Sequence, residues 1–130
     1  MRLRGLLCVA GLYVATAVAT ADAFTDKFQL YHSRARSSSP LSLDEEAYDD
    51  LTSAPRDYSV AILLTAGEAK YGCKVCKEIA PEWNLVAQSW VKGDGKGQSR
   101  TLYGTLDFKN GKRTFQKVLK SVAEGAKIPF

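Results

Sequence analysis

Histidine and methionine each occur once in the 130 residues, as His32 and Met1, and cysteine occurs three times. A structural zinc site needs four nitrogen or sulfur ligands. The scarcity of such side chains argues against a metal centre, and His32, in a polar segment, reads as a surface histidine. The glycines of Lys92–Arg100 (KGDGKGQSR) lack the G-x-x-x-x-G-K-[ST] spacing of a phosphate loop and read as a flexible turn. No N-x-[ST] sequon and no internal repeat is visible. Only the N-terminus carries a long apolar run, and nothing later approaches the roughly 20 residues of a bilayer span.

What is present is ordinary. The chain is 45% hydrophobic and 25% charged with a pI near 9.0, which excludes collagen, a coiled-coil rod and a wholly disordered tail. Its charge is +4, unevenly spread. Phe24–Asp57 holds 4 basic and 7 acidic residues, and Tyr58–Phe130 holds 12 basic and 6 acidic. The cations are scattered among acids and apolar residues, which suits a solvated surface rather than nucleic acid.

Arg2 and Arg4, the apolar stretch from about Gly5 to Val18, and Ala21-Asp22-Ala23 have the layout of a secretory signal peptide cleaved before Phe24. Residues 1–23 are thus expected to leave. Residues 24–55 are read as an N-terminal helical segment and linker, and 56–130 as the main domain. Cys8 departs with the signal, leaving Cys73 and Cys76, an even count that suits one disulfide in an oxidising compartment. A two-residue spacer closes almost no loop, so it adds little as a staple. It suits redox exchange better.

Phe24, Phe28 and Tyr31 have helical spacing, and Ser33–Pro40 (SRARSSSP) reads as a flexible linker. Arg34 and Arg36 in it suggest a processing or phosphate site at most. Leu41–Leu51 is predicted helical, capped by Ser42 or Asp44, with Leu43, Ala47 and Leu51 on one face. Tyr58–Thr65 (YSVAILLT) suits a strand buried on both faces. From Cys73 a helix is predicted to about Trp90, with Val75, Ile79, Trp83, Val86 and Trp90 as an apolar core stripe. Thr101–Phe108 is a second strand, and a second helix starts near Arg113 or Thr114. Strand, helix, strand, helix implies an α/β fold with a parallel pair and a right-handed crossover.

Cys73-Lys74-Val75-Cys76 follows the first strand and opens its helix. There the first cysteine meets unpaired helix N–H groups and the positive dipole end, which stabilise a thiolate. Cys73 is the expected exposed nucleophile and Cys76 the resolving thiol. A structural disulfide is the competing reading. Pro81, five residues past Cys76, removes a hydrogen bond inside the helix and kinks it.

Cys73-x-x-Cys76-Lys77-x-Ile79-Ala80-Pro81 resembles the active-site helix of thioredoxin, so the fold is expected to be thioredoxin-like and partial. Thr52-x-x-Pro55 through Ala66, then Gly72–Cys76, Pro81-Glu82-Trp83, Ser89-Trp90 and Leu102–Phe108 are similar, more narrowly, to the luminal domain of the fungal gamma (thioredoxin-domain) subunit of oligosaccharyltransferase. The resemblance runs from about Leu41 to Phe115 and fades from Lys117. It implies an accessory subunit in N-glycosylation, in the endoplasmic reticulum lumen, that does not itself transfer the glycan. Cys73 and Cys76 would hold cysteines of nascent client polypeptides as transient mixed disulfides, with Tyr71, Gly72, Lys74 and Val75 beside them as substrate contacts. It implies other oligosaccharyltransferase subunits as partners, no cofactor, no metal, no nucleic acid, and membrane anchoring only through spans not seen here. A free secretory-pathway oxidoreductase or an inactive fragment are the alternatives. The family's later strands and cis-proline loop are not recognisable, so a two-strand, truncated or mis-joined sheet is expected. No acid lies between Tyr58 and Gly67, which removes thioredoxin's buried general base and favours slow exchange.

Overall fold

The structure, a computed structural model, describes residues 18–125, with side chains from Lys27. Most of the signal-peptide reading, and Pro129, lie outside the described residues. Helix α1 (Val18–Ser37) is followed by strand β1 (Leu41–Leu43) and helix α2 (Glu45–Thr52). Then come β2 (Ser59–Thr65), α3 (Lys74–Gly93), β3 (Thr101–Asp107) and α4 (Lys112–Gly125). Short 3-10 turns at Ala69–Tyr71 and Phe108–Asn110 follow β2 and β3.

Among the described residues the sheet has three parallel strands in the order β1-β3-β2, one more than the sequence suggests. The extra strand comes from Leu41–Leu43, predicted as the start of a helix. Leu41 and Leu43 are buried and Ser42 is exposed, a period-2 pattern that pairs with Gly104, Thr105 and Leu106 of β3. Asp44 then caps α2, its carboxylate accepting the Ala47 N–H at 2.8 Å. The segment expected to precede the domain therefore supplies one edge of its sheet.

Helix α1 also runs further than predicted. Ser33–Ser37, read as linker, is helical, because Phe28, Tyr31, His32 and Ala35 form one buried stripe at helical spacing. Arg34 and Arg36 fall in its last turn, where cations suit the dipole. His32 is not a surface histidine: it is only 7% exposed and stacks on Phe28 with centroids 5.4 Å apart. Its Nε2 has no hydrogen-bond partner among the described residues.

Central strand β3 buries Leu102, Gly104 and Leu106. The parallel register sets Val60, Ile62 and Leu64 of β2 beside them on one face, packed on Phe28, Tyr31, Leu51 and Tyr58. The other face carries Tyr103 and Thr105 beneath α3. There the Trp83 indole N–H donates to Thr105 Oγ1 at 3.0 Å, and Trp83 and Trp90 pack on Tyr103.

Two expectations are corrected by the sheet order. Strand β2 is not buried on both faces; Val60–Leu64 are half-buried, because among the described residues β2 has β3 alone as a partner. The stripe on α3 meets the sheet at Trp83, which is half-buried, but is not core along its length: Val75, Ile79, Val86 and Trp90 remain exposed, and Ala87 is the buried residue of that helix.

Candidate functional site

The site lies at the carboxyl ends of β2 and β3, where parallel sheets place their ligands. After Thr65 the chain turns through Ala66–Gly72 before entering α3. Gly67, Glu68 and Tyr71 tie this loop to the end of β3. The Gly67 N–H donates to Asp107 Oδ2 at 3.1 Å, and the other oxygen of Asp107 accepts the Lys109 N–H at 3.0 Å. Glu68 pairs with Lys70 at 3.2 Å and Lys109 at 3.4 Å, and its hydrogen bond to Lys70 leads in holding its carboxyl below the usual range. Tyr71 meets Phe108 edge-to-face at 5.2 Å, and Phe108 meets Phe115 in the same way.

Gly72 adopts φ +61°, the left-handed turn that ends this loop and delivers Cys73 to the N-cap of α3. Cys73 and Cys76 are joined in a disulfide with Cα atoms 5.3 Å apart. Each sulfur meets a backbone donor. The Cys76 N–H donates to Cys73 Sγ at 3.2 Å, and the Ala66 N–H donates to Cys76 Sγ at 3.4 Å. Donors aimed at sulfur stabilise the negative charge a thiol carries when the bridge opens. Pro81 lies inside α3 and cannot donate to the Lys77 carbonyl one turn back.

The four residues read as client contacts flank the pair. Tyr71 is half-buried against Phe108; Gly72, Lys74 and Val75 are exposed, Val75 by 67%. Lys74 leans toward Glu78 at 3.8 Å. Sequence reasoning missed Ala66, Asp107 and Lys109. The β2–β3 register sets Thr65 beside Asp107, so a carboxylate ending the second strand had to fall at the end of the sheet that carries the cysteines. Among the described residues no three His, Cys, Asp or Glu side chains cluster as a metal site. No helix among them is long and apolar enough to cross a membrane.

A C-x-x-C disulfide at the start of a proline-containing helix, behind a parallel strand, defines a partial thioredoxin-like module. The chain matches the OST3 / OST6 family, transporter family, over residues 29–122, and it belongs to that family. The match reaches well past Lys117, where the resemblance was expected to fade, and takes in most of α4. Similar relatives bear the name "Dolichyl-diphosphooligosaccharide--protein glycosyltransferase subunit MAGT1". That of Xenopus laevis is 35% identical over 66 residues, 51% of this chain and 20% of the relative. That of Danio rerio is 32% identical over 75 residues, 57% and 23% respectively. The human protein is 34% identical over 62 residues, 48% and 18%. The chain thus spans about a fifth of the length of the relatives it matches.

Proposed function

We propose that this chain acts as an accessory thiol-disulfide subunit of an oligosaccharyltransferase complex in the endoplasmic reticulum, holding client cysteines as transient mixed disulfides. The observation that carries the reading is the Cys73–Cys76 bridge at the N-terminus of α3 in a chain of this family. The named complex belongs to the relatives; it comes to this chain through family membership. In this reading residues 1–23 direct the chain to the secretory pathway and are removed.

The chemistry needs no external oxidant. A client thiolate attacks Cys73 Sγ, the Cys73–Cys76 bond breaks, and Cys76 leaves as a thiolate under the Ala66 N–H. The client is now bonded to Cys73. Attack of the Cys76 thiolate on Cys73 Sγ reforms the bridge and returns the client thiolate. Electrons balance over the cycle, so the client is held but not oxidised. Exposed Gly72, Lys74 and Val75, with the half-buried Tyr71, form the rim a client backbone would meet. Residues 24–55 contribute β1 and the cap of α2, and 56–130 carry the cysteines.

The test is Cys76→Ser in cells. In that variant the Cys73 thiolate attacks a client disulfide, one client sulfur leaves as a thiolate, and with no Cys76 to resolve it the client should accumulate on Cys73; Cys73→Ser should abolish the adduct. A Cys76→Ser chain that traps nothing above the double variant contradicts the reading.

A further inference from the structure

Strands β2 and β3 end level with each other, Thr65 beside Asp107, and beyond that pair the ladder no longer fixes the chain. The two residues after Thr65 are nonetheless held. The Ala66 N–H donates to Cys76 Sγ at 3.4 Å, and the Gly67 N–H donates to Asp107 Oδ2 at 3.1 Å. The other Asp107 oxygen accepts the Lys109 N–H at 3.0 Å, so the half-buried carboxylate is itself fixed against the turn that leaves β3. Asp107 thus reaches Cys76 through a single residue, Ala66. Hydrogen bonds to a charged acceptor are the strong ones. The loop's other ties grip further along. Glu68 uses exposed ion pairs, which hold little, and Tyr71 sets its ring against Phe108. Charge alone would give this acid the opposite role, because a carboxylate near a sulfur opposes its thiolate. What Asp107 supplies is geometry.

We propose that Asp107 is a positioning residue of this site: by holding the Gly67 N–H it keeps the Ala66 N–H on Cys76 Sγ, and so sets how readily the Cys73–Cys76 bridge opens. The inference deepens the thiol-exchange reading and rests on it. When a thiolate attacks Cys73 Sγ, a bond forms to that sulfur, the Cys73–Cys76 bond breaks, and its electron pair leaves on Cys76 Sγ. The Ala66 N–H lies on the atom that gains the charge. A donor already in place lowers the barrier to that step, whereas a donor on a loosened loop must first be brought back.

The experiment uses the purified full chain with glutathione as the attacking thiol. Asp107→Ala should slow bridge opening by about tenfold, the scale of one hydrogen bond to a charged group. Asp107→Asn keeps an oxygen for the Gly67 N–H without the charge, and should stay within about threefold of wild type. Glu68→Gln, which cuts the exposed ion pairs of the same loop, should also stay within about threefold. In a Cys73→Ser background, the alkylation of Cys76 is followed against pH. Its midpoint should rise in Asp107→Ala and stay level or fall in Asp107→Asn. A merely structural role would lower thermal stability and leave these midpoints in place. Opening unchanged in Asp107→Ala overturns the proposal. So do Ala and Asn variants that move together, and a Glu68→Gln chain slowed as much as Asp107→Ala. Asp107→Leu, closer in size, repeats the test should Asp107→Ala fail to fold. The alkylation arm needs neither a client nor a bridge, so it reads Asp107 apart from the capture of clients by Cys76→Ser.

Discussion

The indole N–H of Trp83 donates to Thr105 Oγ1 at 3.0 Å, and this bond fastens the cysteine-bearing helix to the central strand. Trp83 lies two turns beyond Cys76, on the half-buried side of α3, and its ring also meets Tyr103 at 5.4 Å.

Thr105→Val should therefore cost about 1–3 kcal/mol in urea unfolding, because it leaves a half-buried indole N–H unpaired. Trp83→Phe removes donor as well as indole bulk. A double-mutant cycle should return a coupling of about 0.5–1.5 kcal/mol. A coupling indistinguishable from zero would show that α3 is held by ring packing alone.

Two glycines with positive φ should respond differently to alanine. Gly97 has φ +69°, and a Cβ there would come 3.0 Å from the Phe28 ring and 3.1 Å from His32 Nε2. Gly72 has φ +61° and open space. Gly72→Ala should cost the left-handed penalty alone, about 1–2 kcal/mol. Gly97→Ala should cost at least about 1 kcal/mol more, since both rings must move in a packed core. Equal losses in thermal unfolding would mean that the loop over α1 yields freely.

The Tyr31 hydroxyl donates to Asp50 Oδ2 at 2.6 Å, and the pair sets two pH limits. Burial first, and the Asp50 bond second, push the Tyr31 phenol well above its ordinary value. A raised phenol stabilises the fold below the unfolded value near 10, and that stability is lost as pH climbs above it. The same hydrogen bond leads in lowering the Asp50 carboxyl. A lowered acid stabilises the fold above the unfolded value near 4 and loses that contribution as pH falls further. Tyr31→Phe should cost about 1 kcal/mol at neutral pH. It should also flatten the decline above pH 10 and the loss below pH 4. Stability falling unchanged at both ends in Tyr31→Phe would assign these limits to other groups.

The legible parts of the fold were those with long, unambiguous patterns. Thr101–Asp107, the cysteine helix and the helix beginning at Lys112 fall where their spacing puts them. Of the two caps the sequence offers for α2, Ser42 and Asp44, the structure takes Asp44, and Ser42 lies in β1. Leu41–Leu43 was illegible because three residues are too few to separate alternation from the 43, 47, 51 helical spacing; only Gly104–Leu106 across the sheet decides it. The Ser-rich segment looked like linker because serine has weak helix propensity, and burial of Ala35 and His32 overrides it. At the site, Cys73 and Cys76 and their place at the helix start were plain. Ala66 was not, since its role is a backbone N–H that any residue supplies. The apolar positions of α3 do share a stripe, but only its tryptophans meet the sheet, at Tyr103, and Val75, Ile79 and Val86 stay exposed. Periodicity tells which residues share a face, not whether anything lies against it.

The most direct measurement is the mass and connectivity of adducts formed when the oxidised chain meets a peptide bearing one cysteine thiol. A mixed disulfide on Cys73 is expected, trapped by Cys76→Ser when that variant is offered the same peptide as a disulfide, and released in the wild type as the Cys73–Cys76 bridge reforms. Adducts on Cys76 instead, or a bridge that stays closed at excess peptide thiol, would contradict it and leave Cys73–Cys76 a structural bond.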